Sequence, residues 1–168
     1  MYAVPSRIGI LTAAGPFAIV ESDVDEKIKQ LLRELGTAVD PVIRRHEGRI
    51  VKRLGDGLMA VFDDAAQAVE AAIESGRRAR EIEVEGYRAE LRAGVHLGTP
   101  RRLGGDYFGV DVNVAARVAE AAGAGEVLVS DAVHQKVEGG ETVQLRRRWR
   151  FSAKGAPKGL KVYAAEPS

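Results

Sequence analysis

Asp56 stands between Gly55 and Gly57, four residues after Lys52, with the apolar runs Ile50-Val51 and Leu58 to Phe62 on either side. Glycine supplies the positive φ angles of a tight turn, so the pattern predicts a hairpin with the carboxylate at its tip. A carboxylate placed there, with no neighbouring side chain in its way, suits a hard cation. Farther along, Asn113 and Arg117 are four apart in a segment that reads as helix, and so share a face. An arginine fork stays charged and can meet two phosphoryl oxygens at once. Each feature taken singly also has a plain structural reading: a turn carboxylate, an exposed strand lysine, a polar helix face.

The surrounding elements must position these groups. Arg7 to Leu11 reads as a first strand, broken by Ala13-Ala14-Gly15-Pro16. Asp23 is the expected N-cap of a long amphipathic helix, with Ile28, Leu31, Leu32, Leu35, Val39 and Ile43 at helical spacing. Pro41 falls inside that pattern and predicts a kink or a split. After the hairpin, Ala65 to about Ile82 reads as a second, alanine-rich helix and Tyr87 to Leu97 as an alternating strand. Gly94 within that strand points to a close backbone approach.

Gly104-Gly105 marks a turn, and Val112 to Ala122 a third helix ended by Gly123 and Gly125. A short strand follows at Glu126 to Val129, then a brief helix capped by Ser130. The last strands are expected at Thr142 to Phe151 and Leu160 to Ala164. The order β-α-β-β-α-β, with extra elements after it, is the ferredoxin-like (split βαβ) pattern of an α+β fold. Helices are expected on one face of a mainly antiparallel sheet. Residues 1–168 read as a single domain.

Composition sets bounds on function. The chain has 168 residues, 45% hydrophobic and 29% charged, with a net charge of +1. Such a balance gives no overall field for nucleic acid. The sequence has no cysteine, which excludes disulfides and thiolate metal sites and points to a cytoplasmic setting. No apolar run of membrane-spanning length occurs, so no membrane association is expected from this segment. His46, His96 and His134 lack metal-ligand spacing. The run Arg146-Arg147-Arg148-Trp149-Arg150 is expected in a solvated or dimer-contacting strand.

Arg49-Ile50-Val51-Lys52-Arg53-Leu54-Gly55-Asp56-Gly57 resembles the second metal-binding hairpin of class III nucleotidyl (adenylyl/guanylyl) cyclases. Gly105-Asp106-Tyr107-Phe108-Gly109-Val110-Asp111-Val112-Asn113-Val114-Ala115-Ala116-Arg117 is similar to their purine-binding and transition-state segment. The resemblance runs from about Arg7 to Tyr163. It implies the cyclase fold and a head-to-tail homodimer with its active sites between subunits. It also implies conversion of ATP to 3′,5′-cyclic AMP and pyrophosphate with Mg2+ or Mn2+. By the same resemblance, Asp56 binds metal, Lys52 and Asp106 read the adenine edge, and Asn113 orients the ribose. Arg117 stabilises the transition state, and Lys154 binds the triphosphate. Guanylyl cyclases carry a glutamate where Lys52 stands, so the implied nucleotide is ATP.

One departure is central. The family's first metal-binding aspartate falls, without a gap, on Thr12, and neither Ala13 nor Ala14 supplies a carboxylate. Pro16 also alters the motif. A threonine hydroxyl is a weak, neutral ligand and does not replace a bridging carboxylate. The resemblance therefore implies an adenylyl cyclase domain with impaired activity. Its alternative is a catalytically silent domain that binds nucleotide or pairs as a heterodimer with an intact cyclase.

Overall fold

The structure, a computed structural model, describes residues 7–14, 22–54 and 57–168. Its strands are β1 (Arg7–Ala14), β2 (Arg49–Leu54), β3 (Gly57–Phe62), β4 (Glu83–Val84), β5 (Tyr87–Arg88), β6 (Glu90–Leu97), β7 (Arg101–Leu103), β8 (Asp106–Phe108), β9 (Val127–Ser130), β10 (Val143–Arg147) and β11 (Val162–Pro167). Its helices are α1 (Ser22–Arg45), α2 (Ala65–Arg80), α3 (Val110–Ala121) and α4 (Asp131–Val137).

Seven strands form one sheet in the order β10-β11-β9-β6-β1-β3-β2. Its β6-β1-β3-β2 portion is antiparallel throughout and is the ferredoxin-like unit built by β1-α1-β2-β3-α2-β6. The α3 crossover then adds β9 parallel to β6, and β11 and β10 extend the sheet antiparallel. The α+β, mainly antiparallel expectation holds.

Alternation along the strands decides which helix lies on which face. Leu58, Ala60 and Phe62 of β3, Leu91, Ala93 and Val95 of β6, and Val127 and Val129 of β9 pack in one core with α1, α2 and Val133 of α4. The intervening Met59 and Val61 pack with Ala115 and Ala119 of α3, and Leu128 with Val114 and Val118. Period-two alternation in strands buried on both sides thus requires a helix on each face. The one-face expectation is corrected: α3 covers the face opposite α1, α2 and α4.

Gly94 explains how close α3 comes. A Cβ at this position would lie 2.2 Å from the Ala119 backbone nitrogen. The helix axis therefore sits lower over β6 than any side chain there would allow.

Five other expectations are refined. β1 continues to Ala14, past its expected break. Asp23 is already helical, one residue inside α1, and α1 runs through Pro41 without a split. Thr37 and Pro41 are both exposed, so the carbonyl that loses its donor can take water, while Leu35, Val39, Val42 and Ile43 stay packed. The expected strand over 87–97 is two strands, with β5 pairing back to β4 and β6 entering the main sheet. β10 ends at Arg147, so Arg148, Trp149 and Arg150 lie beyond the last ladder pair. No helix among the described residues is long and apolar enough to cross a membrane.

Candidate active site

Lys52 and Asp106 are brought together. The Lys52 ammonium donates to Asp106 Oδ2 at 2.7 Å, and both side chains keep about a third of their surface open, 34% and 29%. The hairpin supplies one partner by an irregularity. Arg49 pairs with Val61 and Ile50 with Ala60, but the next pair is Lys52 with Met59, leaving Val51 as an extra residue. Such a bulge re-aims the side chain that follows it. Val51 packs against the cluster formed by Met59, Tyr107 and Ala115, and Lys52 reaches across to β8.

β8 supplies the other partner. Gly104 and Gly105, at φ 58° and 85°, turn the chain between β7 and β8, a two-residue hairpin only glycine adopts freely. Alternation then sends Tyr107 inward, where it is buried, and leaves Asp106 and Phe108 outward. The Tyr107 hydroxyl accepts from Arg49 at 2.8 Å, and its backbone N–H donates to Asp106 Oδ1 at 2.7 Å. The Lys52 hydrogen bond, and then that N–H, hold the Asp106 carboxyl below the usual aspartate range. At neutral pH the pair is therefore an ammonium beside an ionised acceptor. The Phe108 ring lies 5.8 Å from the Lys52 nitrogen and walls one side.

α3 lies beside this pair, since Val112 and Ala116 pack on the same cluster as Val51 and Tyr107. Asn113 is exposed one turn before Arg117 on this helix. Arg117 donates to Glu120 at 2.5 Å, an ion pair one turn along α3. The Gly155 backbone comes against Arg117: a Cβ at Gly155 would be 3.5 Å from Arg117 Nε. That contact carries the exposed Lys154 into the neighbourhood of Arg117.

Asp56 lies outside the described residues. Thr12 is placed by strand register: it pairs with Gly57 of β3 and with Arg92 of β6. Position 12 thus stands two residues before the end of β1, opposite the first residue of β3. Among the described residues no group of three or more histidines, aspartates or glutamates is arranged to hold a metal ion.

Sequence reasoning missed Arg49, Tyr107 and Glu120. The alternation Asp106-Tyr107-Phe108 was a usable signal for an inward tyrosine, and the three-residue spacing of Arg117 and Glu120 for a helical ion pair. Nothing in the sequence marked the Val51 bulge, which arises from pairing.

Residues 14–166 match the family model for the adenylate and guanylate cyclase catalytic domain. The chain belongs to this family. A solved adenylate/guanylate cyclase/hydrolase from Silicibacter pomeroyi is 31% identical, with 96% of each chain covered and a TM-score of 0.77. The catalytic core of a rhodopsin-guanylyl cyclase with converted specificity, crystallised with ATPαS, shares the fold at 21% identity and TM-score 0.80, covering 98% of each chain. "Putative adenylate cyclase 3" of Rhizobium meliloti (strain 1021) is 36% identical over 130 residues. That match takes in 76% of this cyclase domain but only 22% of the Rhizobium protein's length.

Proposed function

We propose that this cyclase domain binds ATP through Lys52 and Asp106 and forms cyclic AMP slowly, with Thr12 as the reason for the low rate. The observation that carries the purine choice is the 2.7 Å Lys52–Asp106 pair. An ammonium has three donors, so it can hold Asp106 and still donate to adenine N1. The ionised Asp106 can only accept, which suits the adenine N6 amino group. Guanine offers the reverse polarity, an acceptor at O6 and a donor at N1, and would leave both groups mispaired.

Asn113 holds the ribose while its 3′ oxygen attacks the α-phosphorus and pyrophosphate leaves. Negative charge then builds on the phosphoryl oxygens, where the Arg117 fork is most useful. To reach them Arg117 must exchange Glu120 for phosphate, and Lys154 adds a second cation for the triphosphate. Two cations bridged by two carboxylates would serve such a reaction, but positions 12 and 56 offer one carboxylate and one hydroxyl. That donor set does not fit a carboxylate-bridged pair.

A head-to-tail pair of domains would bring Asp56 of one copy toward Asn113 and Arg117 of the other. Leu103, Phe108 and Val110, all at least half exposed around β8 and the start of α3, give such a pair apolar surface to cover. Light scattering across concentration tests this assembly, and a persistent monomer counts against it. Thr12 also favours a second reading, a silent partner that lends Lys52, Asp106, Asn113 and Arg117 to an intact cyclase.

The purine reading is tested by direct binding of ATP and GTP. ATP should bind more tightly, and Lys52→Glu combined with Asp106→Cys should shift preference toward GTP. Equal affinity of the unmodified protein for the two would overturn it.

A further inference from the structure

The helix that carries Asn113 and Arg117 begins without a side-chain cap, since its N-cap is Gly109. A different contact holds its first turn. Asp111 Oδ2 accepts from the Thr99 backbone N–H at 2.9 Å, and Asp111 Oδ1 lies 3.1 Å from His96 Nε2. Gly98 leaves the room for this: a Cβ there would fall 2.2 Å from Asp111 Cγ. The other imidazole nitrogen, Nδ1, is 2.8 Å from Ser130 Oγ. His96 is 8% exposed and Ser130 wholly buried.

The protons follow from the partners. A carboxylate only accepts, so His96 Nε2 carries the hydrogen, and in the tautomer with hydrogen on Nε2 alone Nδ1 accepts from the Ser130 hydroxyl. In this tautomer every buried polar atom of the chain Ser130–His96–Asp111 is satisfied. The order serine, histidine, aspartate also occurs in hydrolytic nucleophiles, but a hydroxyl with no exposure reaches no substrate. Its effect is mechanical: it joins β9, β6 and the first turn of α3. Ser130 is the N-cap of α4, yet its hydroxyl makes no capping bond and is spent on His96 instead.

We propose that Ser130, His96 and Asp111 form a positioning relay that sets the start of α3, and with it Asn113 and Arg117, against the sheet. The inference rests on the reading of Asn113 and Arg117 as ribose and phosphate ligands. It separates two parts of the site. Lys52 and Asp106 are on β2 and β8, held by their own ion pair and outside the three relay residues, whereas Asn113 and Arg117 follow Asp111 on α3.

The test uses the full chain with His96→Leu and with His96→Gln, whose amide can still donate to Asp111. Adenine and ATP are the probes, and amide hydrogen exchange over α3 is read in parallel. His96→Leu should weaken ATP relative to adenine by about tenfold, the order of one weakened charge-assisted hydrogen bond. Adenine affinity should stay within about twofold. His96→Gln should recover most of the loss, and exchange over residues 110–117 should quicken in the leucine variant alone. A role in stability only would move both probes together or neither, and either result overturns the relay. If the unmodified chain binds neither probe, the nucleotide reading fails by itself, and exchange then decides: acceleration confined to α3 supports the relay, and uniform or absent change overturns it. Should His96→Leu not fold, Gly98→Ala displaces Asp111 without emptying the core and is judged by the same two readouts.

Discussion

Gly94→Ala inserts one methyl where β6 passes under α3. The new Cβ would lie 2.2, 2.6 and 2.8 Å from the nitrogen, Cα and Cβ of Ala119. Ordinary carbon contacts are about 3.5–4.0 Å, so the shortfall is about 0.7–1.8 Å. Two of the three atoms are helix backbone and cannot rotate aside, so α3 as a whole must lift. Overpacking of this kind costs about 1–3 kcal/mol. For a chain of this size about 2–4 °C accompanies each kcal/mol, which gives a fall in Tm of about 2–12 °C.

Gly76→Ala is the matched control. Gly76 sits inside α2, and a Cβ there meets nothing within 4 Å. Replacing it by the better helix former should stabilise by about 0.4–1 kcal/mol and raise Tm by about 1–4 °C. The assay is thermal unfolding by circular dichroism at one fixed protein concentration, because any dimer would link Tm to concentration. ATP affinity should also fall in Gly94→Ala, since the lifted helix carries Asn113 and Arg117. A Gly94→Ala protein that melts at or above the parent would refute the close approach of α3.

Other outcomes follow from the same geometry. Glu120→Gln releases Arg117 from an exposed ion pair of the kind worth about 0–1 kcal/mol, so ATP affinity should rise by up to about fivefold, and a fall would contradict the competition. Because the Asp106 pKa is depressed, the Lys52–Asp106 pair contributes fully above the ordinary aspartate range and is lost as pH falls through the lowered value. Carbon-13 titration of Asp106 should therefore show a midpoint below that range, moved upward by Lys52→Met; a midpoint at or above it contradicts the pair. The change of preference toward GTP in Lys52→Glu with Asp106→Cys, measured by competition binding, checks the purine edge directly.

Much of the fold was legible because the signals were local. Glycines bracketing Asp56, the strand alternation and the helical spacing in α1 all report on neighbours within a few residues. Gly94 was legible as a point of close approach, though not what approached it. The second face of the sheet was hidden because strands buried on both sides read as continuous apolar runs, which do not say how many helices cover them. The Val51 bulge and the His96 relay depend on pairing between distant segments, so no spacing within either segment reveals them. Pro41 was overestimated as a breaker because propensity is weak against Val39, Val42 and Ile43 packed in the core. In the site, Lys52 with Asp106 was legible by resemblance and meets in the structure, whereas the tie of Arg117 to Glu120 was not foreseen.

The most direct test compares the unmodified chain with Thr12→Asp for cyclic AMP formation from ATP with manganese, alongside ATP binding to both. Restoring a carboxylate opposite the first residue of β3 supplies an electrostatic contribution of several kcal/mol to the reaction. The rate should rise on the order of a hundredfold or more while ATP affinity changes little. Equal turnover by the two proteins would contradict the reading of Thr12 as the missing ligand position, and with it the account of a cyclase that holds its nucleotide but converts it slowly.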